Sequence, residues 1–182
     1  MSTFQIYTIE SAPEQSKPVL LQLQQTFGLI PNIAGVIAGS PVLIESFSGL
    51  FKRVHAGSFN EAQIQTLLLT NAVTNACAWA VAFHTALALH EGLTSADVDA
   101  IRAGRAPEDR RQAALSALTK TAIEKRGHLD EQDVSRFIEA GFREDQVLEV
   151  LAVLAASTIT NYAGNIARPP VEAPFDAHRW SA

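Results

Sequence analysis

Only one segment of this chain gathers residue types that can do redox or acid–base chemistry: Asn75-Ala76-Cys77-Ala78-Trp79-Ala80-Val81-Ala82-Phe83-His84-Thr85-Ala86. A thiolate is a nucleophile and a metal ligand, and an imidazole is the commonest side-chain acid or base. Read on a helix, Cys77, Ala80, His84 and Thr85 share one face, because positions i, i+3, i+4 and i+7 line up. A thiol near the start of such a helix is expected to gain thiolate character from the dipole. From position 77 to 84 is two turns, on the order of 10 Å along the axis. A direct Cys77–His84 hydrogen bond is therefore not expected within one straight helix. The position close to both is 80, and it holds Ala.

The same residues have plainer readings. A lone cysteine commonly behaves as a small buried hydrophobe, and His84 reads equally as a satisfied polar residue in a helix–helix groove. Cys77 is the only cysteine, so an intrachain disulfide, a Cys-rich zinc site and an internal dithiol couple are excluded. His55, His90, His128 and His178 show no pairing in the sequence. Zinc wants three or four ligands, so no metal site is expected, and nothing calls for a cofactor. Trp79, Phe83, Tyr162 and Trp180 read as core or subunit-interface aromatics, or as walls of a pocket for an apolar ligand.

The elements that must position these residues are helical nearly throughout, so the fold class expected is all-α. The exception is Phe4-Gln5-Ile6-Tyr7-Thr8-Ile9, read as an extended arm. A first helix starts near Ser11 or Pro13 and ends at Gly28. Pro31 and Pro41 open two more, the second running to about His55 and closed by Gly57. Asn60, with Gln63 three residues on, forms a capping-box pattern for a helix to about Asn75. Around Asn75-Ala76-Cys77 the chain kinks or starts a new helix that continues to His90 and stops at Gly92. Thr94-Ser95-Ala96-Asp97 and Asp130-Glu131-Gln132-Asp133 are further helix starts, closed by Gly104 and Gly141. Dipole and capping effects account for their acidic residues without paired-carboxylate catalysis. Between them a helix is expected from about Pro107 to Arg126, and a last long one runs from about Arg143 to Ala167, before Arg168-Pro169-Pro170.

Composition narrows the partners. The 182 residues carry 14 Lys+Arg against 19 Asp+Glu, a formal net charge of −5, and no basic stripe. This argues against a nucleic-acid binder. Only 18% of residues are charged while 47% are hydrophobic, against about a quarter charged in an ordinary globular chain. Other copies of the chain are expected to cover part of that surface. Thr, Asn, Ser and Gly break the apolar stretches before the ~20 residues of a membrane span, and the N-terminal residues carry no basic-then-apolar leader. A cytoplasmic protein is expected, with no membrane partner. Residues 1–182 read as one domain, with a faint internal repeat of 59–84 in 142–167. At an offset of 83, Phe59, Glu61, Gln63, Leu68, Ala72 and Ala80 align with Phe142, Glu144, Gln146, Leu151, Ala155 and Ala163. A true duplication would pack as two pseudo-symmetric helical halves.

The segment around Cys77 resembles the core of the alkylhydroperoxidase D / carboxymuconolactone decarboxylase family, in its peroxidase-related group. The motif there is Glu, eleven residues, Cys-x-x-Cys, three residues, His. Asn75, Cys77, His84, Thr85-Ala86 and Gly92-Leu93 match its frame. Phe27-Gly28-Leu29-Ile30-Pro31-Asn32 resembles the family's N-terminal element, and Ala140-Gly141-Phe142 and Asn161-Tyr162 its C-terminal landmarks. The resemblance implies an all-helical bundle and a homo-oligomer, often a trimer or hexamer. In redox members the second Cys attacks a peroxide, the first resolves it as a disulfide, and Glu and His relay a proton. Carried onto this sequence, the resolving position is Cys77 and the His is His84. The attacking position is Ala80, the Glu position is Gln65, and Asn165 stands where many relatives of this group have His. Ala cannot attack a peroxide and Gln cannot titrate, so the dithiol cycle is not available.

Three functions follow as expectations. One is an antioxidant peroxidase-type oxidoreductase, reduced here to a one-Cys reaction through a sulfenic acid on Cys77. Another is a non-redox lyase or hydrolase acting on a small lactone or carboxylate, with His84 as acid/base and Gln65 as orienting group. The third is an oligomer that binds a small molecule without catalysis.

Overall fold

A computed structural model describes residues 4–181. Capping chemistry sets its helix boundaries. After a 3-10 turn at Glu14–Ser16 come α1 (Lys17–Phe27), α2 (Asn32–Ile37), α3 (Pro41–Val54), α4 (Glu61–Thr74), α5 (Ala78–His90), α6 (Ser95–Arg102), α7 (Arg110–Glu124), α8 (Glu131–Glu139) and α9 (Glu144–Ala167), then a 3-10 turn at Ala173–His178. No strand occurs among the described residues. The Asn60–Gln63 capping box forms in both directions, and Asp130 and Asp133 make another at the start of α8. Two expected boundaries move. The first α-helix starts at Lys17, after the 3-10 turn, rather than near Ser11 or Pro13. α7 starts at Arg110 rather than near Pro107, because the Asp109 carboxylate accepts from the backbone N–H groups of Arg111 and Gln112 and caps the helix there.

α4 and α9 form the centre. α4 packs on α5, α6, α7 and α9, and α9 on α2, α3, α4, α5 and α8. Residues 64–72 of α4 are all buried, so this helix has no solvent face, and its polar side chains need partners inside. They have them. Thr70 donates to Ser116 Oγ at 3.0 Å, and Thr66 donates to Gln112. Asn71 donates to the Leu154 carbonyl at 3.4 Å and accepts from Asn161 at 2.8 Å. Phe59 meets Phe142 edge-on at 6.1 Å, where the N-termini of α4 and α9 approach.

α9 is long and apolar enough to cross a bilayer by length and composition, with mean hydropathy 1.4 over 18 residues. The polar residues expected to interrupt that run lie within the helix, where Ser157, Thr160 and Asn161 are buried. Asn161 bonds to α4, and Thr160 donates to the Ser157 carbonyl. These side chains suit a core helix between other helices.

The arm at 4–9 has no regular structure. It crosses α2 at Gly35, whose carbonyl accepts from Tyr7 N–H at 3.0 Å. A Cβ at 35 would lie 2.7 Å from Ile6 Cγ2 and 2.9 Å from the Tyr7 carbonyl oxygen, so only glycine permits this approach.

The turn between α4 and α5 fixes the site. α4 ends in a Schellman arrangement: Ala76 N–H donates to the Val73 carbonyl and Cys77 N–H to the Ala72 carbonyl, at 3.0 and 2.9 Å. The left-handed position, usually glycine, is Ala76, with φ 51°. The chain therefore breaks completely at 75–77 and a new helix begins.

Candidate functional site

That break decides the position of the sulfur. Cys77 is the N-cap of α5 with extended backbone, φ −94° and ψ 93°. It is not a helical residue, so the expected common face with Ala80, His84 and Thr85 does not include it. Its Sγ packs against α9, where a Cβ at Gly164 would lie 2.7 Å from the sulfur. Cys77 is 1% exposed. Burial pushes its thiol pKa up, and the backbone N–H groups of Ala80 and Trp79 pull it down only in part. The expected gain in thiolate character is thus reversed, because desolvation outweighs the helix start. The hydrogen bonds to the Cys77 sulfur come from the backbone at Ala80 and Trp79, not from His84 or Gln65, and the methyl of Ala80 is fully buried in the same cluster.

His84 and Gln65 do come together. His84 Nδ1 lies 3.0 Å from Gln65 Oε1 across the α4–α5 interface. An amide oxygen only accepts, so the ring proton sits on Nδ1 and Nε2 is left as an acceptor. Burial pushes the His84 pKa down to about 3, with the charge of His55 a smaller cause. The imidazole is therefore neutral at ordinary pH.

His84 lines a cavity of about 40 Å³ whose other walls are almost wholly apolar: Leu23 and Phe27 of α1, Pro31, Ile33 and Ala34 at α2, Phe47 and Phe51 of α3, Leu68 of α4, and Trp79 and Phe83 of α5, with Ser157 and Thr160 of α9. Neither Cys77 nor Ala80 is among them. Phe83 is the hub of the aromatic wall. Trp79 stacks on it at 5.0 Å and 17°, and Phe27 and Phe175 meet it edge-on at 5.5 and 5.0 Å. The C-terminal tail holds this wall in place. Trp79 Nε1–H donates to Glu172 Oε2 at 2.9 Å, while Glu172 Oε1 accepts from the backbone N–H of Asn32. Asn32 also donates to the Pro170 carbonyl at 3.0 Å. The Pro31-Asn32 pair thus ties α2 to the tail. Of the four aromatics considered as walls, Trp79 and Phe83 line the cavity. Tyr162 is exposed, and Trp180 donates to the Arg102 carbonyl.

A second imidazole, paired with a carboxylate, lies nearby, and no spacing in the chain announces it. His55, at the C-cap of α3, has Nδ1 at 2.9 and 3.0 Å from the two Glu61 oxygens. It borders a cleft of about 440 Å³ together with Lys52, Glu61, Gln65 and Glu91. Leu23, Phe27, Phe47 and Phe51 are walls of both spaces. The two residues are six apart across an interhelical turn, so helical spacing does not reveal the pair. Asn165 donates to the Asn75 carbonyl at 2.8 Å. Among the described residues no three His, Cys, Asp or Glu side chains gather as a metal site.

Residues 41–122 match the model of the carboxymuconolactone decarboxylase family. No curated protein matches the sequence. Among solved structures, an uncharacterized peroxidase-related protein of Ralstonia eutropha JMP134 with an alkylhydroperoxidase AhpD core superimposes with a TM-score of 0.82 at 17% identity, over 96% of this chain and 94% of that one. The debrominase Bmp8 gives 0.80 at 19% identity, over 98% and 96%. A cysteine-to-alanine variant of that debrominase in complex with 2,3,4-tribromopyrrole gives 0.77 at 19%, over the same shares. At these identities the likeness is one of fold: the all-α AhpD fold extends over nearly the whole chain.

Proposed function

We propose that this chain, which belongs to the carboxymuconolactone decarboxylase family, binds a small, flat, largely apolar molecule beside His84 and does not reduce peroxides by thiol chemistry. One observation carries this reading. His84, neutral and held by Gln65, shares an aromatic-walled cavity with only two other polar side chains, Ser157 and Thr160, while the single thiol lies elsewhere, buried against Gly164. Apolar walls with a few placed polar groups are the usual form of a small-molecule site. His84 Nε2 would accept a hydrogen bond from the ligand, Gln65 would hold the ring, and Trp79 and Phe83 would clamp the ligand's face. The debrominase that shares the fold takes up 2,3,4-tribromopyrrole as a cysteine-to-alanine variant; a ring of that class is larger than the cavity of about 40 Å³ and would extend past Phe27, Phe47 and Phe51 into the adjoining cleft of about 440 Å³.

Two measurements test this. Peroxide consumption with a thiol donor is expected at background level in the wild type and in Cys77→Ser alike. A wild-type rate that falls in Cys77→Ser overturns the non-redox reading. Binding of a halogenated phenol or pyrrole is expected to weaken about tenfold in His84→Ala, the loss of one hydrogen bond worth about 1.4 kcal/mol. Unchanged affinity removes His84 from the site.

The bare Nε2 of an oriented imidazole also supports a lyase or hydrolase version of the same site, with His84 as a weak base and Gln65 orienting it. Turnover of a small carboxylated lactone that disappears in His84→Ala would establish that version.

The working form in this proposal is a homo-oligomer, a trimer or hexamer, located in the cytoplasm. The apolar side chains that α9 and α3 leave exposed, Leu148, Tyr162, Ile166 and Val42, support the oligomer. The whole chain is read as one domain with a duplicated hairpin. The Phe59–Phe142 contact and the Asn71–Leu154 bond support this, each joining positions 83 apart in the sequence.

A further inference from the structure

Three buried side-chain polar atoms among the described residues have no hydrogen-bond partner: His55 Nε2, Thr119 Oγ1 and Asn161 Oδ1. Only the first belongs to a titratable group. Its ring is held by Glu61, which accepts from Nδ1 with both oxygens. A carboxylate facing Nδ1 fixes the ring proton there and makes Nε2 a bare acceptor. This is the base-plus-orienting-group arrangement of acid–base sites. A buried acceptor without a partner is destabilising, and native structures that keep one commonly complete it with a ligand, ion or water.

The position of the pair gives the orphan atom meaning. His55 stands where the polar cleft adjoins the apolar cavity, and Phe51, whose ring lies 4.3 Å from the imidazole, borders both. The other charged or titratable groups facing this cleft are Lys52 of α3, Glu61 of α4 and Glu91 after α5. His84 lies behind Gln65 and is kept neutral by burial, so it does not compete for a proton near neutral pH.

The geometry points to His55, oriented by Glu61, as the proton-accepting anchor for a ligand bearing a weakly acidic O–H or N–H group. The inference rests on the cavity reading and adds the class of ligand. Nε2 is covered in this structure, so a ligand reaching it from the cleft must displace the side chains around the ring, among them Phe51. The ligand's O–H or N–H bond breaks and its electron pair stays on the ligand atom. The proton joins Nε2, and the imidazolium keeps its Nδ1–H bond to the Glu61 carboxylate. The negative charge moves from the Glu61–His55 pair, now neutral overall, to the bound ligand. The Lys52 ammonium in the same cleft faces that charge.

The probe is 4-nitrophenol, which absorbs strongly in the visible only as its phenolate. The full-length chain is mixed with it at a pH about one unit below the phenol's own pKa, and binding is counted by equilibrium dialysis. Wild type is expected to bind it as the coloured phenolate. His55→Gln and Glu61→Gln are expected to lose the visible band of the bound probe, while His84→Ala binds less of it but keeps the colour of what is bound. Bound but colourless probe in the wild type overturns this inference and leaves the cavity reading standing. An unchanged band in both His55→Gln and Glu61→Gln overturns it as well. Absence of binding overturns both readings. The wild-type spectrum decides even if a variant does not fold.

Discussion

Lowering the pH should destabilise this protein through His84. The imidazole is 5% exposed and bonded to Gln65, and its pKa falls from 6.5 to about 3 on folding because burial disfavours the cation. Above pH 6.5 the ring is neutral in both states and costs nothing. Below that, the unfolded chain takes up a proton that the folded chain refuses, so stability is lost as pH falls toward the folded-state value. Each pH unit within the window is worth about 1.4 kcal/mol, so going from about pH 7.5 to about 4.5 removes about 2.7 kcal/mol. Urea unfolding followed by circular dichroism at a series of pH values measures this, with His84→Gln as the reference. The variant keeps a polar group against Gln65 and cannot titrate, while all other groups remain. The wild type is expected to lose about 2.7 kcal/mol more than His84→Gln over that range. Parallel pH dependence in the two proteins would refute the claim that His84 is held neutral in a desolvated site.

The remaining predictions concern the turn and the sulfur. Cys77, 1% exposed and with its thiol pKa raised by burial, should resist Ellman's reagent in the native state and react fully in urea; rapid native labelling would contradict its placement. Gly164→Ala puts a Cβ 2.7 Å from Cys77 Sγ. Overpacking of about 1–3 kcal/mol set against about 1 kcal/mol of helix propensity predicts a net loss near 1 kcal/mol. Cys77→Ala in the same chain should recover it, as read by thermal melts. Ala76→Gly should raise stability by about 0.5–1 kcal/mol, because Ala76 occupies the left-handed position at φ 51° that glycine tolerates; a lower melting temperature would show that the turn is not strained.

Capping chemistry made the helices legible. Asn60 with Gln63, Thr94 before α6 and Asp130 before α8 all mark true N-termini, because the groups that satisfy orphan N–H donors lie within three residues of them. Pro107 misled for the same reason: the stronger cap, Asp109, lies two residues later. The Gln65–His84 contact followed only from the family resemblance, since nothing local joins positions 19 residues apart on two helices. The break at Asn75-Ala76-Cys77 is legible, but not which residue begins the new helix: Cys77 caps α5 with extended backbone, after a left-handed Ala76, and so leaves the helical face. A continuous helix would have turned Cys77 toward the other site residues. The Glu61–His55 pair and the walls from Phe27, Phe47 and Phe51 were invisible, because they arise where α1, α3 and α5 meet, and helix packing is not written in any one segment's period.

The most direct test of the central claim is a crystal structure of the protein with a bound halogenated phenol. The ring is expected between Phe27, Phe47, Trp79 and Phe83, with its polar atom on His84 Nε2 or, on the cleft side, on His55 Nε2. A ligand seated against the sulfur of Cys77, with the aromatic-walled cavity left unused, would contradict it.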